Sequence, residues 1–339
     1  MNVAYSASDL YSELAAVSIA SIFENSKDVD EINVYVIDIG ISDKHKQDML
    51  DLAAAYGRNL CFLEDLNVED IAHTKINVGR WHISTFSRLF LLHVLPEGLD
   101  KIIYVDCDMI IRHSLKSLWE MDMEGTWCMS ADDCRGKMYR KDIGIPLDSI
   151  YTNNGLMVID LDAWRENDVE SMFIDFINKY HGDITYMDQG VLNGVFQPLK
   201  KVKLLPISYN AQTFCYDLGY DGLQACRKPV WAYTKEEFEK DTADPVIVHF
   251  TTCFMSGTRP WFKKDGHPFR GEFLYYRRLT AWRNEPLWED TTPWKKKAMT
   301  KISQVMPRPI TYGIIHVAHV WGYPTVRELK SKLKGRKAD

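Results

Sequence analysis

The 339-residue sequence has no apolar run approaching the roughly 18 residues a membrane-spanning helix needs. Its opening, MNVAYSASDLY, lacks the basic segment and apolar stretch of an export signal. Its seven cysteines are odd in number and form no C-x-x-C pair, which argues against a disulfide framework and for reduced thiols. Internal repeats and low-complexity segments are also missing. These absences lead to the expectation of a cytoplasmic protein. What is present is globular in proportion, with 46% hydrophobic and 26% charged residues, so a disordered or fibrous chain is excluded. The length exceeds the roughly 250 residues one core usually serves, and the expected division is a large domain over 1–275 and an extension over 276–339.

The net charge of −6 is unevenly spread. Residues 295–339 hold 11 Lys and Arg against Glu328 and Asp339, while the rest holds 30 bases against 45 acids. Phosphate backbones would repel so acidic a body, and no nucleic-acid partner is expected. The basic tail spaces Met299, Ile302 and Met306 along one helical stripe and adds Tyr312, Trp321 and Tyr323 before RELKSKLKGRK. That composition predicts docking on an anionic membrane surface, peripherally at the inner face. The alternative is a helical hairpin packed on the body with a solvated basic end.

Strand-like and helix-like segments alternate. Asn2–Ser6, Glu31–Ile37, Leu60–Leu63 and Lys101–Val105 read as strands, and Leu10–Phe23, Asp43–Ala55 and Ser84–Leu95 as helices between them. The alternation predicts an α/β fold with a mainly parallel sheet, whose ligands gather at the carboxyl ends of strands. Asn153–Leu161 reads as a further buried strand. Val169, Met172, Phe173, Phe176, Ile177 and Tyr180 form one helix face that Asp168 is placed to cap. Residues 206–245 read as irregular, and Pro245–His249 as the last strand.

The sharpest local signal is KIIYVDCD. If the chain stays extended, Asp106 and Asp108 face one way and Cys107 the other. Two carboxylates closing a strand make a hard oxygen site for Mg²⁺ or Mn²⁺, and His249, closing another strand, would tilt the choice toward Mn²⁺.

The blocks YVDCDMIIRHSLKSLW, YTNNGLMVIDLDAW, YMDQGVLNGVF and VHF…RPW, preceded by VAYSASDLY and WHISTFSRLFLL, resemble in order the bacterial members of glycosyltransferase family 8. The resemblance covers about residues 1–275 and is closest to retaining galactosyl- and glucosyltransferases of surface glycans. It implies a GT-A fold, Rossmann-like, with a basic helical C-terminal tail. It implies a UDP-hexose donor, galactose or glucose, and a glycan or glycolipid acceptor. Asp106, Asp108 and His249 match the metal ligands, with Mn²⁺ as cofactor and Mg²⁺ as its alternative. Ser6, Ala7, Ser8 and Asp9 match the loop that cradles the uridine, and Arg88 the basic residue near sugar and phosphate. Asp133, Asn153, Asn154, Asp188 and Gln189 match the surroundings of the transferred hexose. Arg259 stands where the family places a phosphate-binding Lys, which puts a planar fork in place of a point charge. Each polar residue also has a plainer reading, as a solvated turn for Asp132-Asp133, turn chemistry for Asn153-Asn154, or a helix cap for Asp188. The resemblance places Gln189, an amide and a poor nucleophile, on the far face of the sugar, which implies front-face attack with the leaving phosphate taking the acceptor's proton; double displacement through Asp188 is the alternative. A nucleotide-sugar hydrolase and an inert glycan-binding scaffold are the alternative functions.

Overall fold

The computed structural model describes residues 1–64, 66–73, 75, 83–253, 255–257, 259–322 and 325–326. The strands are β1 (Asn2–Ser8), β2 (Asn33–Ile39), β3 (Asn59–Glu64), β4 (Lys101–Val105), β5 (Met109–Ile111), β6 (Cys128–Asp132), β7 (Thr152–Asp160), β8 (Val202–Leu204), β9 (Ala211–Gln212) and β10 (Ile247–His249). Seven form one sheet in the order β3-β2-β1-β4-β7-β6-β8, and β5-β10-β9 form a second. Four of the main sheet's pairings are parallel, while β7 runs antiparallel to both its neighbours. The predicted α/β class holds, with one strand reversed.

That reversal builds the site. β7 opposes β4, so its first residues lie beside the carboxyl end of β4, with Val105 opposite Leu156 and the Asp106 amide donating to the Gly155 carbonyl. β6 opposes β7 in turn and ends beside the same residues, Asp132 opposite Thr152. The ends of β1, β4 and β6 and the start of β7 therefore share one edge.

Alternation within each strand feeds two cores. Ile103 and Val105 pack on one face of the sheet with Tyr5, Val36 and Phe23, and Ile102 and Tyr104 on the other with Trp164 and Phe173. The helix Ser12–Asn25 is buried from Ser12 through Phe23. A helix that sees no solvent needs its hydroxyls partnered. Ser21 Oγ accepts the Ile111 amide at 2.8 Å, and Ser18 Oγ meets the Tyr5 hydroxyl at 2.9 Å. A third, smaller core gathers Cys134, Phe214, Cys215, Leu223, Phe238 and Cys253.

Several local expectations need correction. Ser84–Leu95 is two 3₁₀ segments, Ile83–Leu89 and Leu91–His93, because the Leu92 amide is taken by the Glu170 carboxylate and Arg88 is drawn inward. Residues 206–245 are not irregular. They carry the helices Thr213–Arg227, kinked at Gly219, and Lys235–Ala243, which opens on a Thr234–Glu237 capping box. Asp168 precedes the helix Val169–Lys179 in a left-handed conformation and makes no capping bond; it accepts the Ser171 hydroxyl instead. The helix Arg270–Arg278 packs on the body, where Arg277 pairs with buried Glu13. The helix Trp294–Val305 packs back on the body, where Gln304 Nε2 donates to the Met255 carbonyl at 3.1 Å, while Trp294 is 74% and Val305 83% exposed on its outer side. Arg308–His316 follows, anchored by buried Thr311 and Ile315. Tyr323 and RELKSKLKGRK lie outside the described residues. Among the described residues no helix is long and apolar enough to cross a membrane.

Candidate functional site

Asp106, Cys107 and Asp108 form the turn between β4 and β5, carrying the chain from the large sheet to the small one. The extended geometry expected of them is replaced by this turn. It nevertheless brings both acids to one place, while Cys107 turns its thiol to the Ser6 carbonyl at 3.3 Å. β10, paired with β5, delivers His249: its Nε2 lies 3.1 Å from Asp108 Oδ1 and 3.9 Å from Asp106 Oδ2. One ligand atom from each residue falls within 4.8 Å of the others. The acid side chains are 25% and 19% exposed, that of His249 only 4%, so the trio opens to solvent on its carboxylate side. Two carboxylates and an imidazole at this spacing fit a hard divalent cation such as Mg²⁺ or Mn²⁺.

The trio needs a glycine beneath it. A Cβ on Gly155 would lie 2.5 Å from His249 Cε1 and 2.8 Å from Asp106 Oδ2. Gly155 sits where the sheet passes directly under the ligands. No local sequence signal separates it from an ordinary turn glycine.

Arg88 joins this trio to the neighbouring acids. Its guanidinium lies over the Tyr104 ring at 4.5 Å, pairs with Asp106 Oδ1 at 2.9 Å and Asp188 Oδ2 at 3.1 Å, and donates to the Asn154 carbonyl at 3.1 Å. Asn154 Nδ2 also donates to Asp188. On the other side Arg259 pairs with Asp108 Oδ2 at 2.9 Å and stacks on Trp261 at 5.0 Å. Burial pushes the Asp106 carboxyl up, against the opposing pull of Arg88 and His249. Asp108 is also penalised by burial, but His249 and Arg259 hold it below the usual carboxylate range. Burial lifts Asp188 to about 6 despite Arg88.

Asp188 and Gln189 lie in the first turn of the helix Met187–Leu199, whose cap position is Tyr186, so Asp188 is not its cap. Gln189 Nε2 donates to Asp133 Oδ2 at 2.9 Å, and its Oε1 accepts from Asn153 Nδ2 at 3.2 Å. Asp133 is fully buried and also holds the Arg135 guanidinium, which lies over the Tyr186 ring at 4.4 Å. Ser6, Ala7 and Ser8 end β1 beside Cys107. Asp9 follows, and its Oδ1 is engaged by the Ser42 amide at 2.8 Å and His45 Nδ1 at 2.7 Å.

The structure thus gathers Asp106, Asp108, His249, Arg88, Arg259, Asn153, Asn154, Asp133, Asp188 and Gln189 at one sheet edge. Sequence reasoning missed Gly155, Arg135 and Asn210. It also missed Tyr11, whose phenol titrates higher than usual through burial and the neighbouring Asp108 charge.

Asp132, next to Asp133, faces inward and accepts the Cys134 amide. Burial raises its carboxyl to about 7. A folded-state value above the unfolded one stabilises the fold at low pH, and that stability is lost as pH rises from about 4 through about 7. Asp132→Asn is expected to flatten this decline, so that the variant loses roughly 2 kcal/mol less than the parent between pH 5 and 8 in urea unfolding. Parallel declines in the two proteins would contradict the assignment.

The model of glycosyl transferase family 8 matches residues 2–265. General stress protein A of Bacillus subtilis is 25% identical over 83% of this chain and 94% of its own length. A lipopolysaccharide 1,2-glucosyltransferase of Escherichia coli is 24% identical over 84% of this chain and 80% of its own. Among solved structures, the galactosyltransferase LgtC in complex with donor and acceptor sugar analogs superposes with a TM-score of 0.69 at 24% identity, over 88% of this chain and all of that one. Over most of its length the chain shares the sequence pattern of that family, and its fold is of the same GT-A type. The chain belongs to glycosyltransferase family 8 and is a glycosyltransferase.

Proposed function

We propose that the protein transfers a hexose, galactose or glucose, from a UDP-sugar to a hydroxyl of a glycan or glycolipid acceptor, with retention at the anomeric carbon. The observation that carries this reading is the convergence of Asp106, Asp108 and His249 within 4.8 Å, joined through Arg88 to Asp188 and its neighbours. A lipopolysaccharide glucosyltransferase among the relatives, and a galactosyltransferase solved with donor and acceptor sugar analogs, support the substrate class. Asp106, Asp108 and His249 would hold Mn²⁺, with Mg²⁺ as the alternative. Such an ion, when bound, supplies positive charge to the oxygens of a diphosphate leaving group.

The chain's own residues supply the rest. The transition state separates an oxocarbenium-like sugar from a diphosphate that gains negative charge. Arg88 and Arg259, already against the acids, are the fixed cations nearest the leaving side, and the forked guanidinium of Arg259 can meet two phosphate oxygens. Ser6, Ala7, Ser8 and Asp9 close the end of β1 as the proposed uridine loop. Asp133, Asn153, Asn154 and Asp188 are assigned to the hexose hydroxyls. Gln189 spends both ends of its amide on Asp133 and Asn153 and carries no free carboxylate. Asp188 is likewise committed to Arg88 and Asn154. Those commitments favour front-face attack, with the acceptor's proton passing to the departing phosphate, over double displacement through Asp188.

The membrane reading of the tail takes support from its surface. Trp294, Ile302, Val305, Ile310, Ile314 and Trp321 are all more than half exposed, among Lys295, Lys296, Lys297 and Lys301. We assign this face to peripheral docking on anionic lipid at the inner membrane face of the cytoplasm.

A panel of UDP-sugars with Mn²⁺, assayed for acceptor-stimulated UDP release, tests the activity. Asp108→Asn should lower turnover at least about 100-fold while the thermal melt in chelator stays close to the parent's. Near-native turnover by that variant would remove the cation from the mechanism, and UDP release indifferent to acceptor would make the enzyme a hydrolase. Gly155→Ala is expected to weaken Mn²⁺ binding by an order of magnitude or more, because its new methyl meets two ligands; unchanged binding in a Mn²⁺ titration would refute the crowding argument. In co-sedimentation with phosphatidylglycerol vesicles, Trp294→Asp combined with Val305→Asp should release most of the protein. Equal pelleting of the two forms would retire the docking face.

A further inference from the structure

His249 turns its second ring nitrogen, Nδ1, away from the carboxylates and onto Asn210 Oδ1 at 2.9 Å. Asn210 is fully buried in the turn Ile207–Asn210, immediately before β9. β9 pairs with β10 so that Gln212 stands opposite His249, and this pairing presses Asn210 against the imidazole. Asn210 Nδ2 donates to Asn153 Oδ1 at 2.9 Å, Asn153 Nδ2 to Gln189 Oε1 at 3.2 Å, and Gln189 Nε2 to Asp133 Oδ2 at 2.9 Å. A chain of three amides therefore runs from His249 to Asp133, and every member is buried.

The direction of each amide in this chain is forced. Asp133 sits beside the guanidinium of Arg135, is ionised, and can only accept. Gln189 must therefore turn its NH₂ toward Asp133 and its oxygen toward Asn153. The Gly155 backbone amide, which can only donate, reaches Asn153 Oδ1 at 3.0 Å and fixes that side chain independently. Asn153 Oδ1 then needs a donor from Asn210, which leaves Asn210 Oδ1 facing the ring. An oxygen there requires a proton on His249 Nδ1. With Nδ1 carrying this proton, Nε2 is the nitrogen left to face Asp106 and Asp108 and to serve as the ligand atom when a cation is bound.

We propose that Asn210 is a positioning residue: it locks His249 in the tautomer whose Nε2 can bind a cation, with its own orientation set through Asn153 and Gln189 from Asp133. The proposal rests on the reading that Asp106, Asp108 and His249 hold a divalent ion. Buried imidazole ligands need such a partner, and its loss typically weakens metal binding by about 10–100-fold. The chain also links the cation ligand to Gln189 by hydrogen bonds alone, so a reoriented Asn210 disturbs both ends.

The test uses the full-length protein, its Asn210→Ala and Asn210→Asp variants, and Mn²⁺ alone followed by electron paramagnetic resonance. Asn210→Ala should lose about 10–100-fold in Mn²⁺ affinity. Asn210→Asp keeps an acceptor for Nδ1–H but loses the donor to Asn153 Oδ1, and its affinity should fall between those of the parent and Asn210→Ala. Melts in chelator establish that all three are folded. In the metal-free parent with ¹⁵N-labelled histidine, the signals absent from a His249→Gln control should carry the proton on Nδ1. Parent-like binding by Asn210→Ala, equal losses in both variants, or a proton on Nε2 alone would each overturn the role of Asn210. A parent that binds no Mn²⁺ would instead overturn the cation reading beneath it.

Discussion

Two carboxylates from distant parts of the chain, Asp106 and Asp188, are held side by side by one guanidinium. Arg88 pairs with both, stacks on Tyr104 and reaches the Asn154 carbonyl. Acids this close and this buried repel each other and resist ionisation, and a planar cation with several donors is suited to binding them together. Around that clamp the rest falls into place. The turn from β4 supplies one acid, the Gln189 helix the other, and the reversed strand β7 sets Asn154 against Asp188 and Asn153 against Gln189. The requirement for Arg88 to reach inward also explains why its segment coils as 3₁₀ turns instead of a regular helix.

The sheet gives the site its second constraint, which is crowding. β7 passes so close under Asp106 and His249 that only a hydrogen fits at Gly155. Interiors packed this tightly hold ligand atoms in place without spending side-chain entropy on them. The polar groups are satisfied in a matching way: the amides of Asn153, Gln189 and Asn210 each donate and accept within the network, which removes rotational freedom from these side chains.

Much of this was legible in the amino-acid order, and the exceptions have physical causes. Period-two apolar alternation in β2 and the short runs of β4 and β10 announced buried strands, because burial on a sheet imposes that pattern. The Asp-x-Asp pair was visible too, although the turn that brings its members together could not be told from extended chain. The helices at Thr213–Arg227 and Lys235–Ala243 were obscured differently. Gly219 interrupts the first, and a Tyr-rich composition hid the Thr-x-x-Glu box that opens the second. Asn210 and Gly155 carried no local signal at all. Their importance arises only when β9 meets β10 and β7 meets β4, contacts that couple residues far apart in the chain.

The origin of His249 has a consequence for the protein's endurance. Its two acidic partners sit where the large sheet gives way to the small one, and the imidazole belongs wholly to the small one. A cation seated among them would act as a rivet across that seam, reinforcing a long loop of chain that the β5–β10 pairing and the Arg259–Asp108 ion pair already close. Its free energy of binding would then add to resistance against unfolding, in proportion to the logarithm of its concentration. The ionic composition of the surroundings would thus govern how long the molecule survives as well as how fast it works.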